Sequence, residues 1–363
     1  MARPICATIH TDALRHNLGQ MRQRAPNSRV MAMVKADGYG HGLERVARAL
    51  AGADAFGVAD LSEVERLRAI GMSQPVLLLP GINEPVDIAR LRALNADAVI
   101  HHASQLEMLE QADAGEPIRC WLKLDTGMHR LGFAPDEVHQ AHARLSASPN
   151  VAPGIVLMNH FASSDALDRE GSSGEQTRAQ LRVFAEATAG LDGARSLANS
   201  AAVLGWPAAH ADWIRPGGAL YGMSLVDGTV GADFGLRAAM TLSTRLIAVK
   251  RVCKGERIGY SATWECPEDM PVGVAAAGYG DGYPRAAPAG TPVLVCGQSS
   301  QVIGRVSMDL MTVDLRGIEG AQVGAPVTLW GPELPVERVA LAAGTIGYEL
   351  TCALTRRVRL VER

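Results

Sequence analysis

The chain is organised around the stretch Val34-Lys35-Ala36-Asp37-Gly38-Tyr39-Gly40-His41-Gly42. It follows the apolar run Val30-Met31-Ala32-Met33 and precedes a helical pattern that begins near Leu43. This order is typical of a strand end, a glycine-rich turn and a helix start. Lys35 then lies where strand meets loop, and apolar neighbours would lower the pKa of its amine. A partly neutral lysine is a nucleophile, although a strand-end lysine that extends into solvent fits this segment equally well.

Short apolar runs alternate with helical patterns from residue 30 to about residue 215. The helical patterns include residues 62–70, 85–94 and 104–113. Eight strands in alternation with helices predict a parallel (β/α)8 barrel of the TIM type, and an open doubly wound sheet is the alternative. The predicted strands are residues 30–35, 55–59, 76–80, 98–101, 118–125, 154–160, 195–199 and 213–215.

The pattern changes after residue 235. Short strands separated by Gly, Pro, Asp and Ser replace the long helices, for example at residues 272–276 and 292–296. This pattern of short strands and turns predicts a mostly-β domain. We therefore expect two domains, a barrel over residues 1–235 and a β domain over residues 236–363, with the boundary within residues 227–236. A chain of 363 residues agrees with two domains, because single cores rarely grow beyond about 250–300 residues.

Composition argues against several classes of protein. Hydrophobic residues make up 47% and charged residues 20% of the chain, as in ordinary globular proteins. A net charge of −3 gives no general attraction to nucleic acid or to anionic membranes. No apolar run is long enough to span a bilayer, and the first ten residues lack a signal-peptide core, so we expect a cytoplasmic protein. The six cysteines form no C-x-x-C pair, so we expect neither a metal site nor a disulfide framework.

The barrel prediction also indicates where an anion would bind. Active sites of such barrels lie at the carboxyl ends of the strands, and phosphate often binds in the loops after strands seven and eight. Asn199-Ser200 follows the seventh predicted strand, and Arg215-Pro216-Gly217-Gly218 ends the eighth. A serine hydroxyl and the N–H groups of paired glycines can hold an anion, and barrel closure would bring them beside Lys35. The alternative is that Gly217 and Gly218 only form a turn.

The nonapeptide VKADGYGHG resembles the pyridoxal-phosphate lysine motif of the alanine racemase family, and the resemblance extends over nearly the whole chain. It implies that Lys35 carries the cofactor, pyridoxal 5'-phosphate, and that Tyr39 directs its hydroxyl at the cofactor phosphate. RPGGALYG, residues 215–222, is similar to the family's phosphate loop. By the same resemblance, Tyr348 supplies a further hydroxyl for the phosphate, beside the Ser200 hydroxyl that the barrel prediction places there.

Racemisation requires a proton to leave one face of a carbon and to return on the other. In the family one acid–base group is the cofactor lysine, and the other is a tyrosine from the β domain of the partner subunit. RIGYSATW, residues 257–264, resembles that tyrosine's motif, which implies that Tyr260 is the second base in a homodimer with composite sites. His160 can accept the tyrosine's hydrogen bond, and Arg215 can hold the imidazole. Without the resemblance, Tyr260 fits an ordinary strand and His160 fits a core.

Arg215 has a second role by resemblance, because it faces the pyridine nitrogen of the cofactor. An arginine stays protonated, so it donates a hydrogen bond without giving up its proton. The ring nitrogen is then a weaker electron sink, and side reactions such as transamination are suppressed. The alternative is an arginine that pairs with a nearby acid such as Asp212.

WLKLDTGMHRLG, residues 121–132, is also similar to the family. Arg130 can form a bidentate pair of hydrogen bonds with a substrate carboxylate. In many family members the equivalent of Lys123 is carbamylated, and the resulting anion orients the arginine. The alternative is a simple neighbour pair of Lys123 with Asp125.

Two further segments of the predicted β domain resemble family motifs. Residues 277–282 are similar to the active-site entrance loop and contribute Tyr279. Residues 304–309 are similar to the segment whose methionine backbone meets the substrate carboxylate, and they contribute Met308. Ser307 departs from some relatives, which have cysteine there, and Gly347 precedes Tyr348 where serine is common.

The resemblance predicts an isomerase that interconverts L-alanine and D-alanine and so supplies or degrades D-alanine for peptidoglycan metabolism. A decarboxylase or a broader racemase of the same fold is one alternative, although such a decarboxylase is not expected to carry Tyr260. A non-catalytic cofactor carrier is the alternative from another class. Such carriers resemble the barrel alone, whereas this chain continues through residues 236–363.

Overall fold

The computed structural model describes residues 3–167 and 174–363. Within them, eight parallel strands form a closed barrel, in which the first strand, Arg29–Met33, pairs with the eighth, Trp213–Ile214. The closed barrel confirms the predicted fold class, and the open doubly wound sheet is wrong. The strands between these two are Ala55–Val58, Val76–Leu78, Asp97–Ile100, Cys120–Lys123, Val156–Met158 and Arg195–Ser196.

The barrel strands are buried on both faces. Val30, Met31 and Ala32 are all fully buried, because side chains fill the barrel interior while helices cover the outside. Burial on both faces explains why the sequence shows continuous apolar runs rather than alternation. Several predicted strands nevertheless run too far. The observed strands end at Met33, Lys123, Met158, Ser196 and Ile214, so Lys35, His160 and Arg215 lie just beyond them, at the barrel mouth.

Helices surround the barrel, and the three predicted helical patterns are confirmed with their ends within two residues. None of the helices in the described ranges combines the length and the apolar character needed to cross a membrane. The α-helices of this part of the chain are Thr11–Arg24, Leu43–Ala49, Leu61–Ala69, Val86–Ala93, Ala103–Gln111, Val138–Ala147, Glu175–Ala187 and Ser200–Gly205.

The second sheet also has eight strands within the described residues, and it includes the first strand of the chain. Cys6–Ile9 pairs antiparallel with the long strand Met240–Val252 and parallel with Arg359–Glu362. The division at residues 235 and 236 remains a prediction, and this N-terminal strand crosses it. The other strands of the sheet are Met270–Ala275, Pro292–Val295, Gln298–Ile303, Met311–Asp314 and Pro326–Trp330.

Two short helices, Val336–Ala343 and Gly347–Cys352, accompany the second sheet. The second of these packs against the turn that follows the first barrel strand. A Cβ on Gly40 would overlap the Thr351 carbonyl, so only glycine allows this close approach. The contact brings Tyr348, which lies on that helix, to the mouth of the barrel.

Candidate active site

The turn after the first barrel strand is left-handed. Ala36, Asp37 and Gly38 have φ values of 54°, 55° and 62°, and Tyr39 has a φ of 52°. Residues other than glycine avoid this region, at roughly 1–2 kcal/mol each. A glycine-rich turn is therefore confirmed, but three of these four residues pay a steric penalty that the surrounding structure must offset.

A cavity of about 530 Å³ opens at the carboxyl ends of the barrel strands. Its described lining residues include four cations and no carboxylate. Positive charge without an acid in a concave site attracts anions. The structure thus brings together most of the residues predicted from sequence, namely Lys35, Tyr39, Lys123, Arg130, His160, Ser200, Arg215, Gly217 and Tyr348.

Ser200 organises one end of this cavity. It begins the helix Ser200–Gly205, and its Oγ accepts hydrogen bonds from the N–H groups of Gly217 at 2.8 Å and Ala219 at 3.2 Å. The loops after the seventh and eighth strands are therefore joined at this serine. This is the position at which the barrel fold predicts an anion.

Two tyrosines reach the same loop because Gly217 and Gly218 have no side chain. A Cβ on Gly217 would lie 2.5 Å from Tyr39 Oη, and a Cβ on Gly218 would overlap the Tyr348 ring. The glycines therefore do more than form a turn. Burial raises the pKa of both tyrosines above the usual value, so their hydroxyls stay protonated and can donate hydrogen bonds to an anion.

Arg215 is buried in the wall of the cavity. Its guanidinium donates to Ser196 Oγ and to the Asn159 carbonyl, both at 2.6 Å, and to the Leu197 carbonyl at 3.3 Å. The predicted alternative, a pair with Asp212, is absent from the part of the chain that the structure describes; Asp212 accepts a backbone N–H instead. Burial lowers the pKa of Arg215 to about 10, so the group remains a cation at neutral pH.

The imidazole of His160 is held neutral. Burial, followed by the charges of Arg215 and Lys123, lowers the pKa of His160 to about 3. A neutral imidazole can accept a hydrogen bond from a hydroxyl. The hydrogen bonds of Arg215 within the described residues do not include one to His160, so the predicted hold of this arginine on the imidazole is not formed in the single chain.

Both cavity lysines have weakened basicity. Burial, then the charge of Arg130, lowers the pKa of Lys35, as the sequence predicts. The same two causes, in that order, with Arg215 third, lower the pKa of Lys123 to about 8. No ion pair joins Lys123 to Asp125 within residues 3–167 and 174–363. The Asp125 Oδ1 instead accepts the N–H groups of residues 127–129, which shapes the loop before Arg130.

Three predicted side chains lie outside this cavity. Tyr260 is 67% exposed, Tyr279 is 38% exposed and Met308 is 51% exposed. Tyr260 lies in a turn between the short strands Arg257–Ile258 and Trp264–Glu265, rather than within a strand. Within one chain, none of these side chains lines the cavity.

Two residues of the site escaped the sequence analysis. Tyr221 packs its ring 4.8 Å from that of Tyr39 and donates a hydrogen bond to the Met33 carbonyl. Tyr221 belongs to the RPGGALYG motif, so the resemblance of this motif could have identified it as a site residue. Cys352 lines the cavity, and its position four residues after Tyr348 on one helix could have indicated a shared face.

Sequence comparisons cover nearly the whole chain. The family model described as "Alanine racemase, N-terminal domain" matches residues 9–225, and that described as "Alanine racemase, C-terminal domain" matches residues 239–362. A protein of Shewanella loihica named alanine racemase is 53% identical over 353 residues, and one of Nitrosococcus oceani is 52% identical over 352 residues. Each match covers 97% of both chains.

Structural comparison agrees with the sequence matches. The crystal structure of the biosynthetic alanine racemase from Pseudomonas aeruginosa has a TM-score of 0.95 and 45% sequence identity, over 99% of both chains. The alanine racemase structure from Acinetobacter baumannii has a TM-score of 0.91 and 35% identity. It covers 99% of this chain and 100% of that one.

Proposed function

Because this chain belongs to the alanine racemase family over both of its domains, we propose that it binds pyridoxal 5'-phosphate and interconverts L-alanine and D-alanine by two-base proton transfer. Membership makes the chain an isomerase. The observation that supports the proposal most is the cavity, in which Lys35, Arg215 and the loop around Ser200 lie together without a carboxylate among the described lining residues. In a cell, this activity would supply or degrade D-alanine for peptidoglycan metabolism, and we propose that it acts in the cytoplasm.

The residues present fit three parts of this cofactor: its aldehyde, its pyridine nitrogen and its phosphate. The weakened base Lys35 suits the aldehyde, and Arg215 suits the pyridine nitrogen as a donor that keeps its proton. The phosphate end fits the loop of Gly217 and Gly218, where the absence of a Cβ lets the Tyr39 and Tyr348 hydroxyls approach the backbone. The groups that would hold it are the hydroxyls of Tyr39, Ser200 and Tyr348 with the backbone N–H groups of Gly217 and Gly218. In the single chain the Gly217 N–H donates to Ser200 Oγ, so it would turn to the phosphate on binding. When bound, the cofactor supplies a conjugated ring that makes the α-proton of alanine acidic.

Two groups then move the proton on opposite faces of the substrate. The Lys35 Nζ serves one face, since it lines the cavity and burial lowers the pKa of its amine. We assign the other face to the hydroxyl of Tyr260 from a second copy of the chain, because Tyr260 lies exposed and away from its own cavity. The neutral imidazole of His160 can accept its hydrogen bond, and Arg215 adds positive charge behind that imidazole.

The substrate carboxylate would be held by Arg130, which lines the cavity and can form a bidentate fork. Met308, through its backbone, and Tyr279, at the entrance, would complete the pocket from the second copy. Both are exposed in the single chain, as residues that serve a composite site in a homodimer would be. A composite site would explain why Tyr260, Tyr279 and Met308 lie outside the cavity of the single chain.

Lys123 is the residue we assign to orienting Arg130, as a carbamate. Carbon dioxide adds to a neutral amine, and the pKa of about 8 makes that form accessible near neutral pH. The carbamate fraction should therefore rise as the pH increases toward 8. Carbon-13 NMR with labelled bicarbonate should show a protein-bound signal that Lys123→Ala removes. A signal that persists in this variant, or no signal at any pH, would contradict the assignment.

Incubation with L-alanine in deuterium oxide tests the function itself. We expect deuterium at the α-carbon together with D-alanine. A decarboxylase would release carbon dioxide and leave ethylamine, and a cofactor carrier would leave L-alanine unchanged. Replacement of L-alanine by L-serine in the same assay measures how broad the specificity is. Absence of both deuterium and D-alanine with cofactor-loaded protein would rule out the proposed activity.

Ser200→Ala and Tyr348→Phe should weaken cofactor binding more than they change chemistry at saturating cofactor. Each removes a hydroxyl from the phosphate end, which is worth about 1–3 kcal/mol, or roughly 5- to 150-fold in affinity. Fluorescence titration with pyridoxal 5'-phosphate measures the change. Tyr283→Phe is the matched control, because this buried hydroxyl in the second domain has no hydrogen-bond partner among the described residues and stacks on Trp330 instead. Unchanged dissociation constants in both test variants would remove these residues from the phosphate site.

A further inference from the structure

One buried carboxylate joins the first two loops at the barrel mouth. Glu63, on the helix Leu61–Ala69, is 7% exposed. Its Oε1 accepts the N–H of Asp37 and its Oε2 accepts the N–H of Ala59, each at 3.0 Å. Asp37 belongs to the left-handed turn, and Ala59 follows the second barrel strand, Ala55–Val58. The two oxygens therefore bridge consecutive strand ends.

The same turn is tied from its outer side. The Asp37 Oδ1 accepts the N–H of Leu43 at 3.1 Å and Arg66 Nη2 at 2.6 Å. Arg66 also donates to Glu44, from Nε at 2.7 Å and from Nη2 at 2.8 Å. The side chains of these ion pairs are substantially exposed, and exposed pairs contribute little. The buried bridge through Glu63 is therefore the stronger restraint on the turn.

The restraint matters because the turn adopts a conformation that its residues avoid. Asp37 lies midway between Lys35 and Tyr39, which both line the cavity. The hydrogen bond from the Asp37 N–H to Glu63 is partly buried, and a backbone N–H withdrawn from water without an acceptor is costly. Glu63 therefore favours the backbone conformation that directs this N–H toward its helix. Glu63 also lies close enough to Lys35 to raise the pKa of its amine against the effect of burial.

We propose that Glu63 is a positioning residue for the cofactor, because its carboxylate holds the left-handed turn that directs Lys35 and Tyr39 into one cavity. The identity of the occupant rests on the proposed function, whereas the hold on the turn rests on the contacts alone. Glu63 itself does not line the cavity. A carboxylate is required because an amide has a single acceptor oxygen, and its NH₂ group would face the second N–H.

Glu63→Gln tests this role, and Glu65→Gln is the matched control. Glu65 lies on the same helix, but its carboxylate pairs with Arg90 at the surface, at 2.7 Å. Hydrogen exchange of the cofactor-free protein, followed by mass spectrometry, reports on peptides that span residues 35–43 and residue 59. We expect exchange there to accelerate at least about tenfold in Glu63→Gln, since a partly buried hydrogen bond to a charged acceptor is lost. Exchange should stay unchanged in Glu65→Gln.

A second measurement connects the turn to the cofactor. Titration with pyridoxal 5'-phosphate should give a dissociation constant about 10- to 100-fold higher in Glu63→Gln, while Glu65→Gln should match the wild type. Circular dichroism establishes that both variants are folded. Should Glu63→Gln not fold, Glu63→Asp replaces it. Its shorter arm reaches only one of the two N–H groups, so faster exchange and weaker cofactor affinity than in the wild type are expected.

The two measurements separate the ways in which these ideas could fail. Wild-type exchange rates at residues 35–43 in the folded Glu63 variants would overturn the inference, whatever the cofactor does. Accelerated exchange with unchanged cofactor affinity would likewise show that the hold on the turn does not position Lys35 and Tyr39. Failure of the wild-type chain to bind pyridoxal 5'-phosphate would overturn the proposed function and the positioning role with it, while the exchange rates would still show whether Glu63 holds the turn.

Discussion

Lys35→Ala will leave no borohydride-reducible link between the chain and pyridoxal 5'-phosphate, and racemisation will fall by at least about 10²–10⁴-fold, the usual contribution of one acid–base group. The physical reason is that this amine is the proposed covalent anchor of the cofactor and also the proposed base on one face of the substrate. The sequence makes the measurement direct, since it contains only four lysines, Lys35, Lys123, Lys250 and Lys254. Reduction with borohydride, digestion and mass spectrometry will assign the labelled residue.

The control for this experiment is Lys250→Ala. Lys250 is exposed on the long strand Met240–Val252 of the second sheet, so its loss should change neither the label nor the activity. Lys123 is the alternative candidate for the cofactor lysine, because it lies in the same cavity and also has a lowered pKa. A label on Lys123 in the wild-type chain, or a label that survives Lys35→Ala, would show that the cofactor lysine has been misassigned.

Mixing inactive Lys35→Ala with inactive Tyr260→Phe should restore about one quarter of wild-type activity. If Tyr260 serves the cavity of a second copy, a mixed dimer has one site with both residues intact and one site with neither. Random exchange makes about half of the dimers mixed, and each has one working site of two, so the product is about one quarter. The steady-state rate of D-alanine formation after subunit exchange measures the recovery.

A second mixture provides the matched control. Arg215 lines the same cavity as Lys35, so Lys35→Ala and Arg215→Ala damage the same half of a composite site. Every site in their mixed dimer lacks one of the two residues, and no activity should return. Recovery in this control, or none in the test mixture despite verified subunit exchange, would show that Tyr260 acts within its own chain or does not act.

The order of the barrel strands was predictable because it depends on local pattern. Apolar runs buried on both faces, separated by helical periodicity, identify parallel strands without any knowledge of distant contacts. Strand ends were less accurate, since residues 34–35, 159–160 and 197–199 continue the apolar or extended pattern past the observed strand ends. Single inter-strand hydrogen bonds, such as Val34 N–H to the Gly57 carbonyl, also continue there. Lys35, His160 and Asn199 are among these residues and line the cavity, so the errors fall at the candidate site.

The N-terminal strand shows what a local pattern cannot supply. Cys6–Ile9 has only four residues, and its partners Met240–Val252 and Arg359–Glu362 lie more than 200 residues away in the chain. Nothing in four residues specifies such partners, because strand pairing depends on which edges the folded domains leave open. The sequence division therefore assigns this strand to the barrel domain, although it pairs with the second sheet.

The candidate site shows the same division between what local pattern predicts and what only long-range contacts determine. By itself, the sequence determined the glycine-rich turn after Lys35, the Gly217-Gly218 loop and the position of Ser200, because each follows from local pattern. Motif resemblance added Tyr348 and Tyr260. Only the tertiary structure decided that the turn is left-handed and that the buried carboxylate of Glu63 holds it. Only the tertiary structure, likewise, decided that His160 is neutral and that Lys123 has a pKa near 8. Handedness, burial and pKa depend on groups that approach one another from separate elements, and those approaches exist only once the chain has folded.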